Sequence, residues 1–211
     1  MKRFIFPLLF FLFSCDDKKE KEITIQVIDK EKTTKIADSP KTALQNWLTY
    51  YRTDNQAFEE EKFILSATGA ISFSPSNVTV MNEKGFNEIY KPFLVFNESK
   101  TKYLDFDSYQ WSIAPDGSAG YEADQEVALV DYQNKTAQRI AFFGPSYSIE
   151  EAYWIGDSVA VLLGNSYEKV PFIMKYHFGK KTVETFQYPD TLKFDIPYAK
   201  VRMRKFGIKT E

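Results

Sequence analysis

In 211 residues the chain has one cysteine, Cys15, and one histidine, His177. A single cysteine excludes an internal disulfide, so the core must hold by packing alone. It also excludes a cysteine zinc site and a CxxC redox pair. A single histidine excludes a multi-histidine metal site. Any Ser-His-Asp arrangement would have to use His177, which sits in a predicted strand between Tyr176 and Phe178, and no Gly-x-Ser-x-Gly segment occurs. The nine glycines are scattered, with no GxGxxG or GxxxxGK[ST] phosphate loop. No cofactor is implied. The formal charge of −2 gives no electrostatic case for nucleic acid. Long apolar runs are missing too. Phe4 to Phe13 is interrupted by Pro7 and reaches only half of the about 20 residues that span a bilayer.

That short run is nonetheless the clearest signal present. Met1-Lys2-Arg3 is a basic start, Phe4–Phe13 an apolar stretch, and Leu12-Phe13-Ser14-Cys15 closes it before Asp16-Asp17-Lys18-Lys19-Glu20. A basic n-region, an apolar h-region and a small residue before the cut describe a secretory signal over residues 1–14. Leu12-Phe13-Ser14-Cys15 resembles the lipobox of bacterial lipoproteins of the Bacteroidota type. The resemblance implies cleavage before Cys15, acylation of Cys15 and anchoring to the outer membrane of the cell envelope, on its periplasmic face or at the cell surface. Several acyl chains, at about 0.8 kcal/mol per buried CH₂, hold where one chain does not. Residues 15–22, almost wholly charged after the cysteine, form a solvated tether. They also resemble the acidic export signal of surface-displayed lipoproteins.

Residues 23–211 are expected to be a single β-rich domain. Aromatics make up 17% of the chain, a composition that favours strands. Ile23, Ile25 and Val27 alternate as in a half-buried strand, and Asp29 to Asp38 reads as a loop. Ser39-Pro40 opens a helix to about Arg52, with Ala43, Leu44, Trp47, Leu48 and Tyr51 on one face. A helical turn within Ala57–Phe63 is compatible with the pattern.

Short strands are expected at Ala70–Phe73 and Asn77–Met81. Hairpins follow at Phe93–Phe96 with Lys102–Phe106, Glu126–Tyr132 with Ala137–Phe143, and Pro171–Phe178 with Thr182–Tyr188. Each turn carries Lys-Thr: Lys100-Thr101, Lys135-Thr136 and Lys181-Thr182. Pro92-Phe93 and Pro171-Phe172 open two of the hairpins. Two Trp-bearing strands, around Trp111 and Trp154, recur within the about 40–50 residues of a four-stranded propeller blade. Ala114-Pro115-Asp116-Gly117-Ser118 adds a Pro-Asp-Gly turn. Together, Phe93 to Tyr188 resemble propeller blades, but too few units fit to close a propeller. The expected fold is therefore mainly β: an antiparallel meander, either a blade-like sandwich or an incomplete propeller, with one N-terminal amphipathic helix. A barrel is the alternative. Tyr198–Glu211, with Ala199, Val201 and Met203 alternating with Lys200, Arg202 and Arg204, reads as a cationic edge strand.

Function is expected from exclusion as much as from motif. Tyr109, Trp111, Tyr153 and Trp154 near strand ends are candidate contact residues for a glycan or an envelope protein partner. Asp105 and Asp107 share one strand face, and Glu150-Glu151 precede a strand. Paired carboxylates of this kind could hydrolyse a glycoside or hold Ca²⁺. Asp157-Ser158-Val159 and Asp190-Thr191-Leu192 resemble the O-glycosylation sites of exported Bacteroidota proteins. The expectation is a lipid-anchored, non-catalytic binding or accessory module, with a carboxylate-dependent hydrolase as the alternative.

Overall fold

Repeated turn chemistry sets the strand order. Lys100, Lys135 and Lys181 all have positive φ, near 55°, a conformation that side chains with a Cβ seldom adopt. Lys135 and Lys181 occupy the same place, as the last residue of a four-residue loop closing the pairs Asp131↔Thr136 and His177↔Thr182. The left-handed residue turns the chain back into register, and the following Thr starts the return strand.

The computed structural model describes residues 40–210, with side chains from Thr42. The leader, Cys15, the tether and the expected strand Ile23–Ile28 lie outside the described residues. Two five-stranded antiparallel sheets dominate. The first contains β1 (Ile64–Ala70), β9 (Tyr147–Ile155), β10 (Val159–Ser166), β11 (Pro171–His177) and β12 (Thr182–Gln187), in the order β1-β12-β11-β10-β9. The second contains β2 (Ser74–Pro75), β3 (Val95–Phe96), β4 (Lys102–Asp105), β7 (Gln125–Asp131) and β8 (Thr136–Phe143), in the order β2-β8-β7-β4-β3. Each is a four-stranded meander with one earlier strand added beside its last member. A small hairpin, β5 (Trp111–Ile113) with β6 (Ala119–Tyr121), is inserted between β4 and β7. The Pro-Asp-Gly turn closes it, with Gly117 at φ +82° and the Asp116 carboxylate accepting from the Ser118 N–H at 2.9 Å. Neither sheet closes on itself, so the fold is a pair of open sheets and the barrel alternative is set aside.

The alternation of each strand divides the core into layers. Ala160 and Leu162 face the second sheet, meeting Leu104, Phe106, Val127 and Ile140. Val161 and Leu163 face the other way, onto helix α1 (Pro40–Arg52). α1 forms where its apolar positions predict. Ala43, Leu44, Trp47, Leu48 and Tyr51 are all buried, and a buried aromatic or aliphatic side chain contributes about 1.5–3 kcal/mol. After the helix, the Tyr51 carbonyl accepts from the Asn55 N–H at 3.1 Å and from Asn55 Nδ2 at 2.9 Å. A short 3-10 turn, Glu60–Lys62, falls inside the expected helical segment. The outer face of the second sheet is covered by Val80, Met81 and Leu94.

Several local expectations change. The strand expected at Ala70–Phe73 is instead β1, which ends at Ala70. Asn77–Met81 is not a strand, because its apolar residues cap a sheet face rather than pair along an edge. The segment before β3 is a 3-10 helix, Glu88–Phe93, so Pro92-Phe93 and Pro171-Phe172 are not equivalent. Nor are the two Trp strands: Trp111 lies in the inserted hairpin, whereas Trp154 lies in the first strand of a meander. The C-terminal strand is in fact helix α2, Tyr198–Lys205. Ala, Lys, Arg and Met are strong helix formers, and helical spacing buries Tyr198, Arg202 and Met203 together. Among the described residues, no helix is long and apolar enough to cross a membrane.

Candidate functional site

A β-bulge places a fully buried acid against α1. Between β9 and β10 the register steps from Leu163↔Glu151 to Gly164↔Ile149, leaving Glu150 without an opposite residue. The extra residue bends the strand and re-aims its side chain, here toward α1. Gly164 makes the bend possible, since a Cβ there would lie 2.3 Å from the Ser148 carbonyl and 2.6 Å from the Phe172 ring. Glu150 accepts from Trp47 Nε1 at 2.8 Å, Tyr51 OH at 2.7 Å, Asn165 Nδ2 at 2.8 Å and the Tyr198 N–H at 3.1 Å. These donors are neutral. Burial raises the Glu150 pKa above the ordinary Glu value, against the pull of the hydrogen bonds. Burial, then the nearby Glu150, raises the Tyr51 phenol as well. The cluster ties β9 and β10 to α1 and to the first turn of α2. One oxygen, Asn165 Oδ1, is buried without a partner.

Asp105 and Asp107, which sequence periodicity placed on one face, serve different partners. Asp105 accepts from the Asp107 N–H at 3.2 Å, the Ser108 N–H at 3.0 Å and Ser108 Oγ at 2.6 Å, an Asx turn after β4. Burial raises its pKa. Asp107 accepts from Trp111 Nε1 at 2.9 Å and from Arg202 at 2.7 and 2.9 Å. The guanidinium lies over the Phe106 ring at 4.7 Å. Burial is the largest single influence on the Arg202 pKa and lowers it, but the charges of Asp107 and Glu151 and the Asp107 hydrogen bond together outweigh it, and the net direction is up. Both aspartates are buried, as is Arg202. Two carboxylates that cleave a glycoside flank a substrate and a water, whereas these two are filled by donors of the protein itself. His177 Nε2 lies 3.1 Å from Glu184 Oε2 across neighbouring strands.

The four aromatic candidates do not make an exposed groove. Trp111 is 1% exposed, Trp154 4% and Tyr153 8%. Trp111 packs edge-on against Tyr90 and Phe93, Trp154 Nε1 donates to the Val95 carbonyl at 2.9 Å, and Tyr153 belongs to the core under α1. Large rings at the ends of β-strands stay apolar enough to be drawn inward, with only their N–H or O–H needing a partner. Tyr109 alone stays half-buried, edge-on to Phe142. It lines a depression of about 160 Å³ with Asn77, Thr79, Phe86, Asn87 and Ser108, so amides and hydroxyls there sit beside aromatic faces.

A second, open groove of about 430 Å³ lies on the α1 side of the first sheet, lined by Glu60, Glu61, Phe63, Ile173, Lys175 and Phe186. It adjoins β1, which sequence reading had not marked. All seven residues of β1 are exposed, with Ile64 at 63% and Leu65 at 52%. A cue was present: Ile64–Ala70 has neither charge nor proline and follows the acidic run Glu59-Glu60-Glu61. Among the described residues, no three His, Cys, Asp or Glu come together as metal ligands. No family model, curated protein or solved structure matches the chain.

Proposed function

We propose that the chain is a lipid-anchored cell-envelope protein, held through Cys15, whose β domain is a non-catalytic binding or accessory module. The leader and Leu12-Phe13-Ser14-Cys15 support the anchor. One observation carries the binding role, the Tyr109 depression, which combines ring faces with the amides of Asn77 and Asn87 and the hydroxyls of Thr79 and Ser108. That combination suits a glycan, whose ring faces stack on aromatics while its hydroxyls exchange hydrogen bonds. The internal engagement of Asp105, Asp107 and Glu150 weighs against the hydrolase alternative.

Two measurements test this reading. Cells given labelled palmitate should label the wild-type chain and not a Cys15→Ser variant, and equal labelling would remove the anchor. Calorimetric titration of the purified chain with soluble envelope glycans should give binding that Tyr109→Ala weakens about tenfold, the scale of one lost stacking contact. Binding that ignores Tyr109 would move the site elsewhere. Protease accessibility on intact cells, with and without Asp16–Glu20, assigns the face of the membrane.

A further inference from the structure

The two sheets end differently, and one end is unfinished. The edges of the second sheet are two-residue strands, β2 with Pro75 and β3. Short strands and proline are common ways to blunt an edge against further pairing. In the first sheet the β9 edge is covered by the second sheet: the Gln125 side chain bonds both the Ile149 N–H and its carbonyl, at 2.7 and 3.1 Å. Among the described residues, the β1 edge has neither protection. Ile71 N–H donates to the Lys181 carbonyl at 2.9 Å. By the alternation of an antiparallel ladder, Ala67 and Gly69 therefore turn their backbone groups to β12, while Thr68 and Ala70 turn theirs outward.

We infer that β1 is a homodimer interface, pairing antiparallel with β1 of a second copy to make one ten-stranded sheet across a two-fold axis. Charge favours this occupant. The strand is preceded by the exposed or half-exposed Glu59, Glu60 and Glu61 and ends beside the exposed Lys180 and Lys181. Antiparallel self-pairing sets the acidic start of one copy against the basic end of the other. Shape favours it too, since bulky Ile64 and Leu65 of one copy meet small Ala70 and Gly69 of the other when the axis lies at Ala67. The interface is isologous, so it closes at two copies and leaves no free edge on the first sheet. It does not depend on lipid anchoring or on the Tyr109 depression.

Sedimentation velocity on the full chain in mild detergent tests the pairing, with two sets of variants. Thr68→Pro removes an outward N–H and leaves the β12 ladder intact, a position where an edge strand tolerates proline. It should raise the dimer dissociation constant about tenfold or more, with one hydrogen bond lost from each copy. Glu60→Lys with Glu61→Lys should also weaken the dimer, and adding Lys180→Glu with Lys181→Glu should restore it. A monomer at every concentration overturns the inference, and so does a dimer indifferent to the charge variants, or assembly that grows beyond two copies. Because the charge variants lie outside the strand, they decide the question even if Thr68→Pro fails to fold.

Discussion

The two sheets share one plan and differ in how they finish it. In each, a four-stranded meander accepts an earlier strand beside its last member, and the last hairpin closes on a left-handed lysine, Lys135 in one and Lys181 in the other. Each also buries one acid that reaches a helix. In the first sheet Glu150 is caged by neutral donors from α1, and in the second Asp107 is paired with the Arg202 cation of α2. Strand length separates the two. The first sheet is built from strands of six to nine residues and leaves a long edge open, whereas the second interrupts itself with the β5–β6 hairpin and ends in two-residue strands. Turn chemistry can therefore repeat a topology while edges and buried charges are settled case by case.

Breaking the ion pair should have the largest effect. Arg202→Ala leaves Asp107 buried without its cation, and urea denaturation should show a loss of about 3–5 kcal/mol. The exposed pair of Lys135 and Glu83, at 2.7 Å, should be nearly silent in the same measurement. Gly164→Ala attacks the bulge that the second sheet lacks at the corresponding strand. Its Cβ meets backbone at 2.3 Å, so a loss of about 3 kcal/mol is expected, and a wild-type melting temperature would show that the bulge relaxes freely.

Glu150 should also make the stability depend on pH. Burial raises the Glu150 pKa above its usual 4.5, so the folded chain holds that proton more tightly than the unfolded chain. The resulting stability is complete below the unfolded value and is lost as pH rises through the folded one. Urea midpoints measured from about pH 4 to 8 should therefore fall with rising pH more steeply in the wild type than in Glu150→Gln. Parallel lines would mean that Glu150 contributes no such slope. Asp105, also raised by burial, adds a slope of the same sign to both proteins.

The smallest expected effect sharpens the shared turn. Lys181→Gly relieves a left-handed residue and should stabilise by about 0.5–1 kcal/mol, after allowing for the freer unfolded chain. Lys135→Gly should gain about as much, because its exposed pair with Glu83 adds almost nothing. Equal gains would show that the turn backbone decides the outcome alone.

Local pattern was enough for some elements. The apolar face of α1, the three hairpins and the Pro-Asp-Gly turn depend on residues a few positions apart, and the structure has them where periodicity and turn chemistry place them. Pattern failed where two structures share a composition. Residues 198–205 alternate like a strand yet coil into a helix, because Arg202 finds Asp107 far along the chain. Trp111 and Trp154 looked like contact residues because nothing local distinguishes a buried indole from an exposed one.

By itself, the sequence determined the mainly β class, the hairpin register and the single N-terminal amphipathic helix, all products of short-range sterics and of hydrophobic period. Tertiary structure alone decided which acids are buried, which aromatics reach the surface and which edge stays open. Those properties depend on what packs against a residue from a hundred positions away, as Trp47 packs on Glu150. No local spacing encodes that contact.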